Sequence, residues 1–153
     1  MADNLTPSQR SYCMSRVKNR NTDIERCIAT GLHRRGLRFR RHVRDLPGSP
    51  DIVFPSAKVA VFVDGDFWHG FRFPAWESSV SDFWRDKIVA NRARDRRNFR
   101  RLQRMGWEVL RLWQHDVDRD AAACVTRVEA RIKHRRALMS SNIQSRARRN
   151  ALG

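Results

Sequence analysis

Cysteine is scarce in this 153-residue sequence: there are three, Cys13, Cys27 and Cys124, far apart and with no C-x-x-C pair. That excludes a zinc ribbon and a disulfide framework, and it fits a reducing compartment. No apolar run approaches the length of a membrane span. The first residues, MADNLTPSQR, lack the apolar stretch of a secretory signal. The expectation is a soluble, cytoplasmic protein. Carboxylates are scarce as well, 16 against 32 Lys and Arg, for a net charge of +16. Such an imbalance says little about fold and much about partners. It points to a polyanion, nucleic acid before any other, because contacts to phosphates release counterions. A ribosome-associated or merely composition-biased basic protein is the alternative.

What is present reads as one compact domain with a real core. SQRSYCMSRVKNR reads as a helix, part of an N-terminal arm over residues 1–20. In NTDIERCIATGLHRRG, Ile24, Cys27, Ile28 and Leu32 recur at helical spacing. Thr22 and Glu25 form a capping box there, and Gly36 is a stop. Three strand candidates follow: LRFRRHV, DIVF and KVAVFV, the last continuous enough to be buried on both faces. Residues 70–81 read as a loop. SDFWRDKIVANRARDRRNFRRLQRMG is a long helix with an apolar stripe through Phe83, Trp84, Ile88, Phe99, Leu102 and Met105. WEVLRLW alternates as a strand. DRDAAACVTRVEARIKHRRAL is an amphipathic helix, and residues 139–153 read as a basic, disordered tail. The order implies an α/β fold with a mixed sheet flanked by helices.

The candidate chemistry lies at strand ends. Asp51 opens one strand, and Asp64 closes the next long one. Two such carboxylates can share a hard divalent cation that activates water and stabilises charge on a phosphodiester. The pair matches the core of the PD-(D/E)xK nuclease pattern; the competing reading makes Asp51 a turn residue and Asp64-Gly65 a hairpin tip. The pattern's lysine is replaced by Asp66, so His69 is the nearest group able to move a proton, unless it is structural. Phe67 and Trp68 are either exposed rings suited to enter a base stack or core aromatics. The arginines of NRARDRRNFRRLQR form a solvated face, a phosphate-contacting face, or both.

Together these segments resemble the very short patch repair (Vsr) endonucleases. RSYCMSRVKNRNTDIE, LPGSPDIVF, VAVFVDGDFWHG and DFWRDKIVANRARDRRNFRRLQRMGWEVLRLWQHD carry the resemblance in order, over about residues 10–116. It implies a PD-(D/E)xK restriction-endonuclease-like α/β fold in a single domain over residues 1–138. It implies a magnesium-dependent nick in one strand of double-stranded DNA, 5′ of the thymine of a T:G mismatch left by deamination of 5-methylcytosine. By position, it makes Asp51 the metal-binding acid, the backbone carbonyl of Val63 a second ligand and His69 the general base. It makes Asp64, where some members have histidine, a residue that binds or orients the metal's water, and Glu25 an accessory acid. Phe67, Trp68 and Trp84 match the aromatics that wedge open the duplex, Met14 a residue entering from the other groove, and Lys87 and Asn91 the pair contacting the mismatched bases. The implied setting is a monomer on the bacterial nucleoid.

One departure is large. Typical members hold a structural zinc with cysteines and histidines around the F-W-H motif, but here the first cysteine position is Asp66 and the chain beyond His69 reads GFRFPAW. Thiolate ligands are missing, so no structural zinc is expected, and Phe71, Phe73 and Trp76 would form a hydrophobic plug instead. The alternative function is a Vsr-like nuclease of altered specificity attached to a restriction-modification or defence system. A non-catalytic DNA-binding protein on the same fold is a third.

Overall fold

The computed structural model describes residues 6–8 and 22–152. Most of the expected N-terminal arm, with Met14, lies outside the described residues. The first full helix, α1 (Asp23–Arg34), starts where the sequence places it, with the Thr22 hydroxyl accepting from the Glu25 amide at 3.3 Å. β1 (Arg40–Arg41), β2 (Ile52–Phe54) and β3 (Val59–Asp64) follow. The segment after β3 contains two short 3₁₀ turns, Phe73–Ala75 and Glu77–Ser79, and leads into α2 (Asp82–Arg104). β4 (Glu108–Trp113) and α3 (Gln114–Ala151) complete the chain.

The sheet runs β1-β2-β3-β4, antiparallel through the first three strands and parallel between β3 and β4. A parallel neighbour requires a crossover, which the loop and α2 supply. β3 is the second arm of a hairpin with β2, but its own C-terminal end leads into the crossover, so Asp64-Gly65 is no hairpin tip. Every β3 residue is buried, as its unbroken apolar run requires. Alternation divides the core in two. Val59, Val61, Val63, Leu110 and Leu112 pack with Ile28 and Leu32 of α1 and with Val125, Val128 and Ile132 of α3. Ala60 and Phe62 face the other way, against Leu102 and Phe99 of α2. By the same two-residue period, Asp64 and Arg111 project toward the α2 side, and this parity decides where the chemistry sits.

Two glycines are required by proximity. A Cβ on Gly31 would lie 2.6 Å from Val125 Cγ2, so Gly31 lets α1 and α3 touch. Gly70, at φ +65°, would place a Cβ 2.7 Å from Ile88 Cγ2; it closes the turn after His69 onto α2 in a conformation that suits glycine.

Several expectations are corrected. LRFRRHV forms only a two-residue strand. Met105 ends the α2 stripe in solvent, 47% exposed. The tail is helical rather than disordered through Ala151: residues 139–151 contain neither glycine nor proline, so nothing in the backbone stops the helix. α3 also has a break at Asp120, whose backbone is non-helical (φ −157°, ψ 86°) and whose carboxylate accepts from the Ala123 amide at 3.0 Å. It caps the longer segment that follows.

Candidate active site

The C-terminal end of β3, the start of β2, α1 and the inner face of α2 enclose a cleft of about 930 Å³. Glu25, Asp51, Val63, Asp64, His69 and Asp95 line it, with Trp68, Lys87, Asn91 and Arg94 nearer α2 and the turn. The structure thus brings together Glu25, Asp51, Val63, Asp64 and His69, which come from three separate stretches of sequence.

Asp51 Oδ2 accepts from the Val63 amide at 2.7 Å. Burial raises its pKa from 3.8 to about 7; that hydrogen bond opposes the rise, and the charges of Glu25 and Asp64 add to it. A carboxylate so placed is ready for a cation. Glu25, His42 and Asp51 offer ligand atoms that all lie within 4.8 Å of one another, and His42 Nε2 is 3.8 Å from Glu25 Oε2. Carboxylates with a single imidazole suit a hard or borderline divalent ion.

Asp64 belongs to a second cluster. Arg111 Nε donates to its Oδ2 at 2.7 Å, and His69 Nε2 lies 3.3 Å from its Oδ1. The other ring nitrogen, His69 Nδ1, pairs with Asp95 Oδ2 at 2.7 Å, an oxygen that also accepts from the Arg111 guanidinium at 2.6 Å. Two carboxylates, one imidazole and one guanidinium form a closed, mostly buried network. Burial would lower the His69 pKa, but the hydrogen bond to Asp95 and the charges of Asp64 and Asp95 outweigh it and raise it. Burial raises Asp64, with His69 and Arg111 holding the rise in check. For Asp95, burial is overcome by the bond to His69 and by Arg111, and the pKa is lowered. Arg111 lies over the Trp113 ring, 4.2 Å from its centroid.

The aromatics form a wall beside these groups. After β3 the backbone turns tightly, His69 N–H to Gly65 carbonyl and Phe71 N–H to Asp66 carbonyl at 3.2 and 2.8 Å. The turn lets Phe67 and Trp68 meet edge to face, 5.2 Å between centroids, rather than point apart. Phe67 is 38% exposed, whereas Trp84 is 8% exposed and packs 5.4 Å from Trp68. Trp68 is half-buried. Asn91 ties the turn to α2 by donating to the Trp68 carbonyl at 2.8 Å, and Arg94 donates to the Asn91 side-chain Oδ1 at 3.0 Å. Lys87 stands exposed at the rim.

Where the resemblance places thiolates, Asp66 pairs with His115 at 2.8 Å. Phe71 packs on His115, 4.3 Å between centroids. Phe73 is buried against Trp76, whose indole donates to the Phe71 carbonyl at 2.8 Å. Among the described residues, neither cluster of metal-type donors contains a cysteine.

Sequence reasoning missed His42, Asp95 and Arg111. Asp95 carried a signal: it lies four and eight residues after Asn91 and Lys87, on one helical face, as an acid among arginines. Arg111 was a charge inside a strand covered on both sides, which calls for a buried partner. His42 carried none, since its reach to Glu25 depends on a turn with φ 51°.

A mixed sheet flanked by helices, with carboxylates and a carboxylate-held histidine in a cleft rimmed by cations, is an architecture of the restriction-endonuclease type. The family model described as DNA mismatch endonuclease Vsr matches residues 2–74. The Type II nicking enzyme V.XorIIP of Xanthomonas oryzae is 44% identical over 136 residues, 88% of this chain and 96% of that protein. The Type II nicking enzyme V.HpaIIP of Haemophilus parainfluenzae is 40% identical over 75% of this chain and 84% of its own length. The DNA mismatch endonuclease Vsr of Escherichia coli is 40% identical over 74% of each chain. The chain belongs to the Vsr family of endonucleases. Among the described residues, no helix is long and apolar enough to cross a membrane.

Proposed function

We propose that this protein nicks one strand of duplex DNA 5′ of the thymine at T:G mismatches, in the bacterial cytoplasm, with magnesium as its cofactor. The observation that supports this best is the cleft itself, in which Asp51, the His69–Asp95 pair and the Phe67–Trp68 rings stand together at one strand end. Asp51 and the Val63 carbonyl would hold the ion, with Glu25 at its edge; when bound, it supplies a lowered water pKa and neutralises charge on the phosphate. Asp64 is committed by its two oxygens to Arg111 and His69, so it anchors the histidine and bounds the ion's water.

His69 is held at Nδ1 by Asp95, which fixes the ring, while its Nε2 faces the Asp64 carboxylate; in the base role Nε2 exchanges that contact for a water and takes its proton. The positive charge that develops on the imidazole is balanced by Asp95. Phe67 and Trp68 enter the stack where a mismatch is already weakly paired, so opening costs less there than in paired DNA. Lys87 and Asn91 lie four residues apart on α2 and meet the mismatched bases. The names of the Xanthomonas and Haemophilus relatives favour a second reading, a nicking enzyme of a restriction-modification system with its own flanking-sequence preference.

The metal assignment is tested by Asp51→Ala. Nicking of a T:G duplex should fall by about a thousandfold or more, while binding of the same duplex in EDTA stays within a few fold of the parent. Near-normal turnover by the purified variant overturns the role of Asp51.

A further inference from the structure

The pole opposite the cleft carries a separate basic surface. β3 and β4 both end at the cleft, where Asp64 pairs with Trp113, and begin at the far pole with Val59 and Glu108. α3 descends antiparallel to β4: Arg127 donates to the Arg111 carbonyl at 2.8 Å. Further on, Arg135 donates to the carbonyls of Gly106 and Ala57, at 2.7 and 3.1 Å, which pins the helix to the far pole. Ile132 is the last buried residue of α3, yet the helix continues to Ala151. From Arg136 to Ala151, at a rise of about 1.5 Å per residue, it projects about 24 Å beyond the sheet.

This arm is acid-free. Residues 130–153 contain seven Lys or Arg and no Asp or Glu. Arg131 and Lys133 are paired with Glu108 and Glu129, whereas Arg136, Arg146, Arg148 and Arg149 are exposed on the arm. Around its base stand Arg101 and Arg104 at the end of α2, both exposed. Beyond Ile132 no side chain of the helix is buried, and Leu138 and Ile143 stand exposed, so packing does not account for it. Its charge suits a polyanion, and arginine's planar fork suits phosphate in particular.

We propose that this pole holds a second segment of duplex DNA through its phosphates while the cleft holds the segment to be cut. The proposal rests on the cleft being the lesion site. The six residues of β3 separate the poles by about 20 Å, and the arm points away from the cleft, so one duplex crossing the cleft does not run along the arm. Such a contact reads no sequence, and it lets the protein pass between DNA segments without full release.

The test substitutes Arg136→Gln, Arg146→Gln, Arg148→Gln and Arg149→Gln together in the full chain. The slope of log affinity against log salt for plain duplex should shrink by about 3.6, four phosphate contacts at ~0.9 each. With its cleft filled by a short T:G duplex in EDTA, the parent should still capture a second, labelled plain duplex, and the variant should not. The matching four Arg→Lys changes should keep both properties. Nicking of a short mismatched duplex should stay within about twofold. A slope change below one, or capture undiminished in the glutamine variant, overturns the proposal and leaves the arm to an acidic protein surface. Equal loss in the lysine and glutamine variants also overturns it, since helix packing rather than charge would then be at work. A parent that nicks no duplex refutes the cleft assignment instead, and the capture experiment still reads the arm.

Discussion

Asp51 shows how burial at a single carboxylate can ready it for a cation at the expense of stability. Its pKa stands at about 7 in the fold against 3.8 for the free side chain. Between those values the unfolded chain gives up the proton while the folded one keeps it, so the metal-free fold loses stability as pH rises through that window. Asp51→Asn removes the effect. In EDTA, its melting temperature should exceed that of the parent by a gap that widens from about pH 4 to about pH 7 and then levels off, reaching on the order of 5 °C or more. A gap that does not change with pH would contradict the burial argument. Arg111 is the complementary case, a cation whose loss exposes its partners. Arg111→Met should cost about 3–5 kcal/mol, because Asp64 and Asp95 are left as buried charges without it. Adding Asp64→Asn should recover part of that loss in a double-mutant cycle; strictly additive losses would mean that the network is not coupled.

At the scale of elements, the segment between β3 and α2 carries the aromatic wall on a hydrophobic plug. The Phe71, Phe73 and Trp76 packing and the Asp66–His115 pair occupy the place of thiolates, so elemental analysis of the purified protein should find no stoichiometric zinc. About one tightly held zinc per chain, the usual content of a four-ligand structural site, would contradict this. Trp68 lies between the wall and the core. As a wedge, it should contribute on the order of 1–3 kcal/mol to mismatch binding; as core, its truncation should cost about 3–5 kcal/mol of stability. Measuring both melting and T:G binding on Trp68→Ala separates the two, and a far lower melting temperature with undiminished binding by the folded fraction would remove Trp68 from the wedge.

The same scale shows what could be read without coordinates. α1, α2, β3 and β4 were legible because their periods are clean and their caps are local: Thr22 at one helix start, Gly106 after another. Asp51, Asp64 and His69 were legible because the motif is contiguous with strand ends. The Asp95–His69 and Arg111–Asp64 pairs were not, since they join residues 26 and 47 positions apart that meet only once the parity of the parallel β3–β4 ladder is set. The helical tail was misread because polarity argues against a core without arguing against a helix.

The whole molecule divides its charge by pole. Asp23, Glu25, Asp51, Asp64 and Asp95 line the cleft, and the exposed arginines of α2 and of the arm at the far pole add to a net charge of +16. Long-range attraction to DNA is therefore built into the surface, whereas the proposed choice of substrate rests on one strand end. The most direct measurement is single-turnover cleavage of a duplex panel, T:G, other mismatches and fully paired, with magnesium or EDTA, and with the break mapped to the nucleotide. The account predicts one nick, 5′ of the thymine of the T:G duplex, present with magnesium and absent with EDTA. Equal cutting of paired duplex, breaks in both strands, or undiminished cutting in EDTA would contradict it.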